Sequence, residues 1–356
     1  MSGVGFLGIG VGLPETVRTN DFWADRLASQ PTDFLAIHDR PDVSREATAA
    51  MARAGAGDPF GGSKLRRVIA DDEDPSDLEA RAALAAIADA GLSPRDIDLV
   101  LVASLPSDRL IPSNGPAVQA KCGLVNASAW SLDVGCASLP PQLLTASALV
   151  RTGAARYVLV VQSQLGSRTV NPMSRNAPGF GDGAAAAVVG QVADGFGLLG
   201  TYMRTDGSFR DGIVLAPSRG GTPVRDFWHT CDGPPLLATF DPEMAKLAGV
   251  KGPELCRMTC IDALSAAGLT IDDVDVFVCN QSMAWFADAC RLALALPVSK
   301  LVETFEEFAN VGAAAVLLNL SVARSRGRLK SGDLVLMYSP AAGFTRSAAV
   351  VRWSLR

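Results

Sequence analysis

Charged and aromatic residues are scarce in this sequence. Of its 356 residues, 48% are hydrophobic, but only 19% are charged and 6% are aromatic. The net charge of −5 provides no general affinity for polyanions, so no nucleic-acid partner is expected. The apolar fraction is instead ample for one large domain, or two closely packed domains, with a substantial core.

Long hydrophobic runs are absent as well. None approaches the roughly 18 to 20 residues that a membrane-spanning helix needs. The segment 1–9 has no basic region ahead of its apolar residues, as a signal peptide would, and reads directly as a strand. We therefore expect no membrane partner and a cytoplasmic protein.

Cysteine is sparse and irregularly spaced. The seven cysteines are odd in number and do not form the framework of a disulfide-rich secreted domain. Cys256 and Cys260 form a C-x3-C pair on a predicted helix, but no second pair accompanies them, so small core residues are favoured over zinc ligands. Cys122, Cys279 and Cys290 are also interpreted as core residues. We predict no metal and no permanently bound cofactor.

Two stretches of the sequence repeat one pattern. Residues 90–102 read A-G-L-S-P-R-D-I-D-L-V-L-V, and residues 267–279 read A-G-L-T-I-D-D-V-D-V-F-V-C. In each, a helix is predicted to end at Ala-Gly, with Gly91 or Gly268 as its left-handed C-cap. The apolar run that follows is typical of a buried strand.

The match continues along both halves. The helices before the repeated stretches correspond, 78–90 with 253–267, and each half ends in a strand of small residues, 185–190 or 348–353. Two fused copies of a strand–helix unit predict two mixed sheets, with helices packed between and around them. The predicted domains are 1–205 and 206–356.

The segment 131–140 is predicted to run from a strand into a helix, with Cys136 at the turn. The helix dipole and free backbone N–H groups stabilise a thiolate at a helix N-terminus, so we expect a pKa below the usual value of about 8.5. Such a thiolate suits attack on a thioester. A lone cysteine after a strand is more often a buried spacer, so its surroundings must decide.

Several motifs resemble those of the β-ketoacyl-acyl-carrier-protein synthase III family of the thiolase superfamily. Residues 133–139 (D-V-G-C-A-S-L) are similar to the segment that carries the family's nucleophile, and 180–188 (F-G-D-G-A-A-A-A-V) to its F-G-D-G motif. Residues 341–353 resemble its closing segment, 111–123 its P-S-x-A segment, and 62–68 its early basic loop. The resemblance covers nearly the whole chain.

This resemblance implies an α/β thiolase fold, in which two duplicated βαβαβ-type halves form a five-layered α-β-α-β-α architecture. It also implies a homodimer whose substrates are phosphopantetheine-linked acyl thioesters of acyl carrier protein or CoA. The backbone N–H groups of Cys136 and Ala342 would form the oxyanion hole. The implied substrate-binding residues are Ile111, at the position that lines the partner's acyl pocket, together with Ser138, Leu139, Gly343 and Phe344.

One position departs from the family. Its catalytic His, in an H-Q-A-N segment, corresponds to Asn280, whereas the Asn of its G-N-T segment is retained as Asn310. The predicted catalytic residues are therefore Cys136, Asn280 and Asn310. An Asn amide can donate a hydrogen bond to a thioester oxygen, but it has no useful pKa and cannot move protons. Acyl transfer between thiols, which needs little help from a base, is therefore favoured.

Other charged positions leave alternatives open. His229 is one of only two histidines, and it is either a loop residue without a catalytic role or a base for an oxygen or nitrogen acceptor. Lys64, Arg66 and Arg67 could meet the phosphates of CoA or phosphopantetheine or an acidic carrier protein, or form a solvated turn. Trp285 stands where the family commonly has a basic residue, which alters the expected carrier-docking surface.

Three functions are compatible with these residues. An acyltransferase would carry an acyl group on Cys136 and pass it to a thiol, an alcohol or an amine, as some relatives of the family do in secondary-metabolite and antibiotic biosynthesis. A decarboxylative condensing enzyme would release carbon dioxide from a malonyl thioester at an Asn–Asn site. A non-catalytic partner subunit is least favoured, because Cys136 is retained. The first is the prediction.

Overall fold

The computed structural model describes residues 3–27, 50, 58, 60–225 and 230–356. The strands of these residues are β1 Gly3–Gly12, β2 Thr16–Thr19, β3 Leu65–Val68, β4 Leu99–Leu105, β5 Ser128–Ser131, β6 Val158–Leu165, β7 Asp182–Val192, β8 Gly197–Thr205, β9 Val214–Arg219, β10 Thr222–Pro223, β11 Gly233–Ala238, β12 Val276–Cys279, β13 Leu334–Pro340 and β14 Thr345–Arg352. The α-helices are α1 Ala24–Leu27, α2 Pro75–Asp89, α3 Gly115–Lys121, α4 Leu139–Thr152, α5 Gly166–Thr169, α6 Pro242–Ala266, α7 Phe286–Ala293, α8 Phe305–Phe308 and α9 Ala315–Ser325.

The first sheet has the strand order β1-β7-β6-β4-β5. β4 and β6 are parallel neighbours whose residues are nearly all buried, as expected for strands covered on both faces. β7 is antiparallel to β1 and to β6, and β5 pairs in parallel with β4 at the edge.

The second sheet has the order β8-β14-β13-β12 and repeats these directions. β14 is antiparallel to β8 and β13, and β13 is parallel to β12. An isolated parallel bridge between Phe277 and Leu301 occupies the place that β5 has in the first sheet. The two halves thus have the same strand order and the same strand directions, which confirms the predicted duplication.

Helices α4 and α9 lie between the two sheets. The largest core cluster joins residues from both helices and both sheets, such as Leu143, Leu317, Val160 and Met337. α2 packs on the outer face of the first sheet, and α6 packs on the outer face of the second. The layers are therefore α-β-α-β-α, and the predicted thiolase fold is confirmed.

The predicted domain boundary lies one strand too late. β8 ends at Thr205, but it pairs with β14 along its length and so belongs to the second sheet. Local patterns placed it in the first half because it directly follows β7 in sequence. None of the helices in the described ranges is long and apolar enough to cross a membrane.

Helix ends follow the predicted glycines, but one helix start does not. Gly91 and Gly268 have φ values of +66° and +67°, as predicted for left-handed C-caps. The helix expected to begin at Pro253 begins eleven residues earlier in sequence, at Pro242, where the Asp241 side chain accepts a hydrogen bond from the Met244 N–H. Pro253 interrupts only part of the backbone hydrogen bonding, and the helix continues through it.

Candidate active site

Cys136 lies in a tight turn between β5 and α4. The Asp133 carboxylate accepts the Gly135 N–H at 2.7 Å, and Gly135 has a φ of +58°. The Ser138 hydroxyl accepts the Val134 N–H at 2.8 Å and donates to the Gly135 carbonyl at 2.7 Å. These local bonds hold the turn, so the half-buried thiol is presented from a fixed backbone.

The prediction of a lowered Cys136 pKa is wrong. Burial and the nearby Asp133 carboxylate raise the pKa of the thiol to about 11. The backbone N–H groups of Ala137 and Ser138 donate to the carbonyls of Val134 and Gly135, so they are not available to a thiolate. The helix itself begins three residues further on, at Leu139, where its dipole has less effect on the sulfur.

Asn280 follows the last residue of β12 and contacts the thiol. Its backbone N–H donates to the Tyr338 carbonyl at 3.0 Å, and its side chain is 1% exposed. A hydrogen bond from this side chain to the Cys136 sulfur opposes the rise in the thiol pKa. Among the described residues, none hydrogen-bonds its carbonyl oxygen Oδ1. The structure therefore brings Cys136 and Asn280 together.

Asn310 is anchored at both of its backbone polar groups. Its N–H donates to the Gly179 carbonyl at 2.9 Å, and its carbonyl accepts the Gly181 N–H at 3.0 Å, which ties it to the F-G-D-G segment. Its Oδ1 accepts the Gly312 N–H at 2.8 Å. The side-chain oxygen is thus engaged in its own turn.

Gln164, which sequence reasoning missed, also contacts the thiol. The Cys136 sulfur lies 3.6 Å from Gln164 Oε1 in hydrogen-bonding geometry. Gln164 is 8% exposed and lies near the end of β6. A signal was present, because the run Gln162-Ser163-Gln164 interrupts a strand that is otherwise aliphatic, and buried polar side chains usually have a specific partner.

The turn that carries Ala342 abuts the cysteine turn. A Cβ atom built on Gly135 would lie 3.4 Å from the Ala341 Cβ. Gly343 and Phe344 have φ values of +73° and +60°, and the Phe344 ring stacks on Phe209 with centroids 4.2 Å apart.

Two residues predicted to bind substrate are buried. Ser138 is fully buried, and its hydroxyl is bonded within the turn. Leu139 is 1% exposed and belongs to the core between the sheets. Neither side chain is exposed to solvent. Ile111, by contrast, is 86% exposed.

The expected basic entrance is only partly present. Arg66 is 1% exposed and donates to the Pro178 carbonyl and to Asn20 Oδ1, and burial lowers the pKa of its guanidinium to about 10. Its assignment to phosphate binding is therefore wrong. Arg67 donates to backbone carbonyls, and the exposed Lys64 forms an ion pair with Glu306.

Trp285 and four of the cysteines belong to one core cluster. Trp285 is 7% exposed and packs edge-on against Phe286, so it is not part of a docking surface. Cys256, Cys260, Cys279 and Cys290 are all fully buried in the same cluster. His229 lies outside the described residues.

Comparison with known proteins places the chain in a family. Residues 264–353 match the family 3-oxoacyl-[acyl-carrier-protein (ACP)] synthase III C terminal, and residues 131–207 match 3-oxoacyl-[acyl-carrier-protein (ACP)] synthase III. The chain is 31% identical over 351 residues to beta-ketoacyl-[acyl-carrier-protein] synthase III of Caldanaerobacter subterraneus subsp. tengcongensis, covering 98% of each. It is also 31% identical to the protein of that name from Geobacillus kaustophilus, over 353 residues and 99% of each. The chain belongs to the 3-oxoacyl-acyl-carrier-protein synthase III family.

Solved structures agree with this placement. The beta-ketoacyl-acyl-carrier-protein synthase III of Thermus thermophilus superposes with a TM-score of 0.80 at 30% identity, covering 99% of this chain and 100% of that chain. The 3-oxoacyl-acyl-carrier-protein synthase III of Aquifex aeolicus VF5 gives a TM-score of 0.79 at 26% identity, again over 99% and 100%. The thiolase fold of this chain is thus shared along its whole length.

Proposed function

We propose that this protein is an acyltransferase that takes an acyl group from an acyl carrier protein or CoA thioester onto Cys136. It then passes the group to a second acceptor. The favoured acceptor is a carrier-protein thiol, and the pathway is secondary-metabolite biosynthesis. The observation that carries this proposal is the contact of Asn280, rather than a histidine, with the Cys136 sulfur. The nucleophile is kept while the proton-transferring group is replaced.

The proposed loading step exchanges one thioester for another. The Cys136 sulfur forms a bond to the thioester carbon, the bond to the carrier sulfur breaks, and the Cys136 proton ends on the released carrier thiol. The N–H groups of Cys136 and Ala342 are the proposed oxyanion donors. The reverse exchange, with a second unloaded carrier, completes the transfer without a base.

The substrate is proposed to enter beside the Ala342 turn. A shallow, open depression is lined there by small and apolar residues, including Ala245, Ala248, Gly343 and Phe344. A slender pantetheine arm fits such a lining better than a bulky or charged group does. Gly343 and Phe344 accordingly remain proposed substrate-binding residues.

Decarboxylative condensation is the second candidate. The relatives at 31% identity over nearly the full chain bear the name synthase, which favours it. Condensation needs stabilisation of an enolate, and losing one optimised donor typically costs roughly 2.7–4 kcal/mol of transition-state stabilisation. Asn280 can supply one donor, so this reaction is expected to be slow here.

Intact mass spectrometry of enzyme and carriers tests the two candidates. The wild type would be mixed with a panel of acyl-CoA and acyl-carrier thioesters, malonyl-carrier and a second unloaded carrier. If the protein is an acyltransferase, the acyl mass is expected first on Cys136 and then on the second carrier, and malonyl-carrier stays intact. A β-ketoacyl-carrier formed by the wild type would overturn the proposal. Asn280→His serves as the matched variant, in which condensation is expected to appear.

A homodimer is proposed as the working form. Among the described residues, β5 is the last strand of the first sheet, and two large hydrophobic residues in or just before it are exposed, Trp130 at 49% and Val125 at 65%; Leu110 is 77% exposed. Exposed apolar groups beside an unpaired strand edge favour pairing with another chain. Size-exclusion chromatography with light scattering is expected to give twice the mass of one chain. A monomer at micromolar concentration would contradict the proposal.

A further inference from the structure

The Cys136 sulfur lies between two side-chain amides that come from opposite halves of the fold. Asn280, at the end of β12, donates a hydrogen bond to it. Gln164, near the end of β6, offers its carbonyl oxygen at 3.6 Å from the sulfur. One amide therefore favours the thiolate and the other favours the thiol, because a hydrogen bond stabilises whichever protonation state makes it.

The position of Gln164 is determined from both sides. On β6 it pairs in register with Gly183 of β7 and Leu105 of β4, so its backbone is held within the sheet. Its carboxamide occupies space left by Gly312: a Cβ at that residue would lie 1.3 Å from Gln164 Oε1.

Gly312 lies in the same turn as Asn310 and is hydrogen-bonded to it. Its φ is +48°, and its N–H donates to Asn310 Oδ1 at 2.8 Å. Gln164 is thus packed between the reacting sulfur and the turn of Asn310. Its contact with the sulfur is a consequence of tertiary packing around a single open position.

We propose that Gln164 is a further catalytic residue, which accepts the Cys136 S–H hydrogen bond and thereby controls how readily this sulfur becomes a nucleophile. The inference rests on the proposed function only in assuming that Cys136 is the group acylated. An amide oxygen orients the S–H but does not take its proton. When the sulfur is acylated the S–H is lost, so the contact with Gln164 distinguishes the free enzyme from the acyl-enzyme.

Among the described residues, one charged group acts on the Cys136 thiol. Asp133 is the titratable group whose charge acts on the Cys136 thiol, and it lies in the same turn. Burial is the larger cause of the thiol's resistance to ionisation. Substitutions at Gln164 leave Asp133 in place, so they isolate the hydrogen bond to the sulfur.

Alkylation of Cys136 by iodoacetamide at pH 9 tests the role without any acyl substrate. The full-length wild type, Gln164→Leu and Gln164→Glu would be compared by following the Cys136 peptide. Leu removes the acceptor at similar volume, so alkylation is expected to become several-fold faster. Glu adds a negative charge beside the sulfur, so alkylation is expected to become about tenfold slower or more.

The opposite signs of the two changes are the signature of a direct contact with the sulfur. A purely structural role for Gln164 would admit water in both variants and shift both rates in the same direction, which would overturn the proposal, as would two rates equal to wild type. If Gln164→Glu does not fold, an equal or slower rate for Gln164→Leu still overturns the proposal. Gln119→Glu, the same change at a half-buried residue of α3, is expected to match wild type.

Because iodoacetamide needs no carrier, this experiment separates the inference from the proposed function. If the alkylation rates of the two Gln164 variants change in opposite directions but Cys136 is not acylated by any thioester, the role of Gln164 is supported and the acyltransferase function is rejected. If Cys136 is acylated but the two alkylation rates do not change in opposite directions, the acyltransferase function is supported and the role of Gln164 is rejected.

Discussion

The two halves of this molecule have the same strand order and directions, yet their corresponding loops carry different chemistry. In the first half, the loop after β5 carries Cys136 and leads into α4. In the second half, the corresponding segment follows Leu301, carries Asn310 and leads into α9. Equivalent positions of the two halves thus carry a thiol in one case and an amide in the other.

A second pair of corresponding positions surrounds the first. Gln164 lies near the end of β6, next to the antiparallel β7, and the Ala342 turn follows the corresponding strand β13, ahead of β14. Gln164 contacts the sulfur through its side chain, whereas Ala342 is proposed to act through its backbone. Duplication therefore determines where groups converge, and the individual residues determine what each group does.

Removing the nucleophile breaks this comparison most completely. Cys136→Ala is expected to abolish acyl loading, because Cys256, Cys260, Cys279 and Cys290 are fully buried in the core and cannot replace the half-buried thiol. Intact mass measurement after incubation with acyl-CoA would check this. Cys231→Ala, at the other half-buried cysteine, should load fully, and loading of Cys136→Ala would show that the nucleophile lies elsewhere.

The raised thiol pKa predicts a steep pH dependence. With a pKa of about 11, Cys136 is almost entirely protonated at neutral pH, so its alkylation rate should rise about tenfold per pH unit, or about a thousandfold from pH 7 to pH 10. Iodoacetamide kinetics on the folded protein would measure it. A plateau between pH 7 and 8 would instead indicate a lowered pKa.

Gly312→Ala tests the space that Gln164 occupies. The added Cβ would overlap Gln164 Oε1, so both the carboxamide and the Asn310 turn must move, and acyl loading is expected to fall by about a hundredfold or more. Gly268→Ala is a matched control, since its φ is also positive but a Cβ there meets no atom within 4 Å. It should lose stability of about 1–2 kcal/mol and keep its activity.

Glu79 should make stability depend on pH. This fully buried carboxyl accepts hydrogen bonds from Ser104, Ser163 and Asn114, and burial raises its pKa from 4.5 to about 7. The folded state therefore binds the Glu79 proton more tightly than the unfolded state does. This adds about 3 kcal/mol to the free energy of unfolding below pH 4.5, and the contribution is lost as the pH rises through about 7. Urea unfolding at pH 5 and pH 7.5 should show this loss in the wild type and not in Glu79→Gln.

The smallest effect is expected at the surface ion pair. Lys64→Ala should change the free energy of unfolding by less than about 1 kcal/mol, because Lys64 and Glu306 are both exposed. Arg66→Ala, two residues away, should cost about 1–3 kcal/mol, since it removes a buried side chain and its hydrogen bonds to the Pro178 carbonyl and Asn20 Oδ1. Thermal and urea unfolding of both variants would compare them, and equal losses would contradict the assignment of Arg66 to the core.

Local patterns in the sequence were enough to predict the duplication, the C-caps at Gly91 and Gly268 and the turn at Cys136. Each of these depends on residues close together in the chain. The assignment of Arg66 to a phosphate site failed because a basic run looks the same whether its side chains point to solvent or beneath a neighbouring loop. β8 was assigned to the wrong sheet because its partner β14 lies about 150 residues away, beyond the reach of local patterning.

The sequence by itself predicted the thiolase fold, the family and the candidate residues Cys136, Asn280 and Asn310. Only the tertiary structure decided that Gln164 contacts the sulfur through space left by Gly312, and that the thiol resists ionisation. Strand and turn formation follow from short-range propensities and periodicity. The pKa of a thiol follows from its burial and from the dipoles around it, and those are set by segments that meet only when both halves have folded.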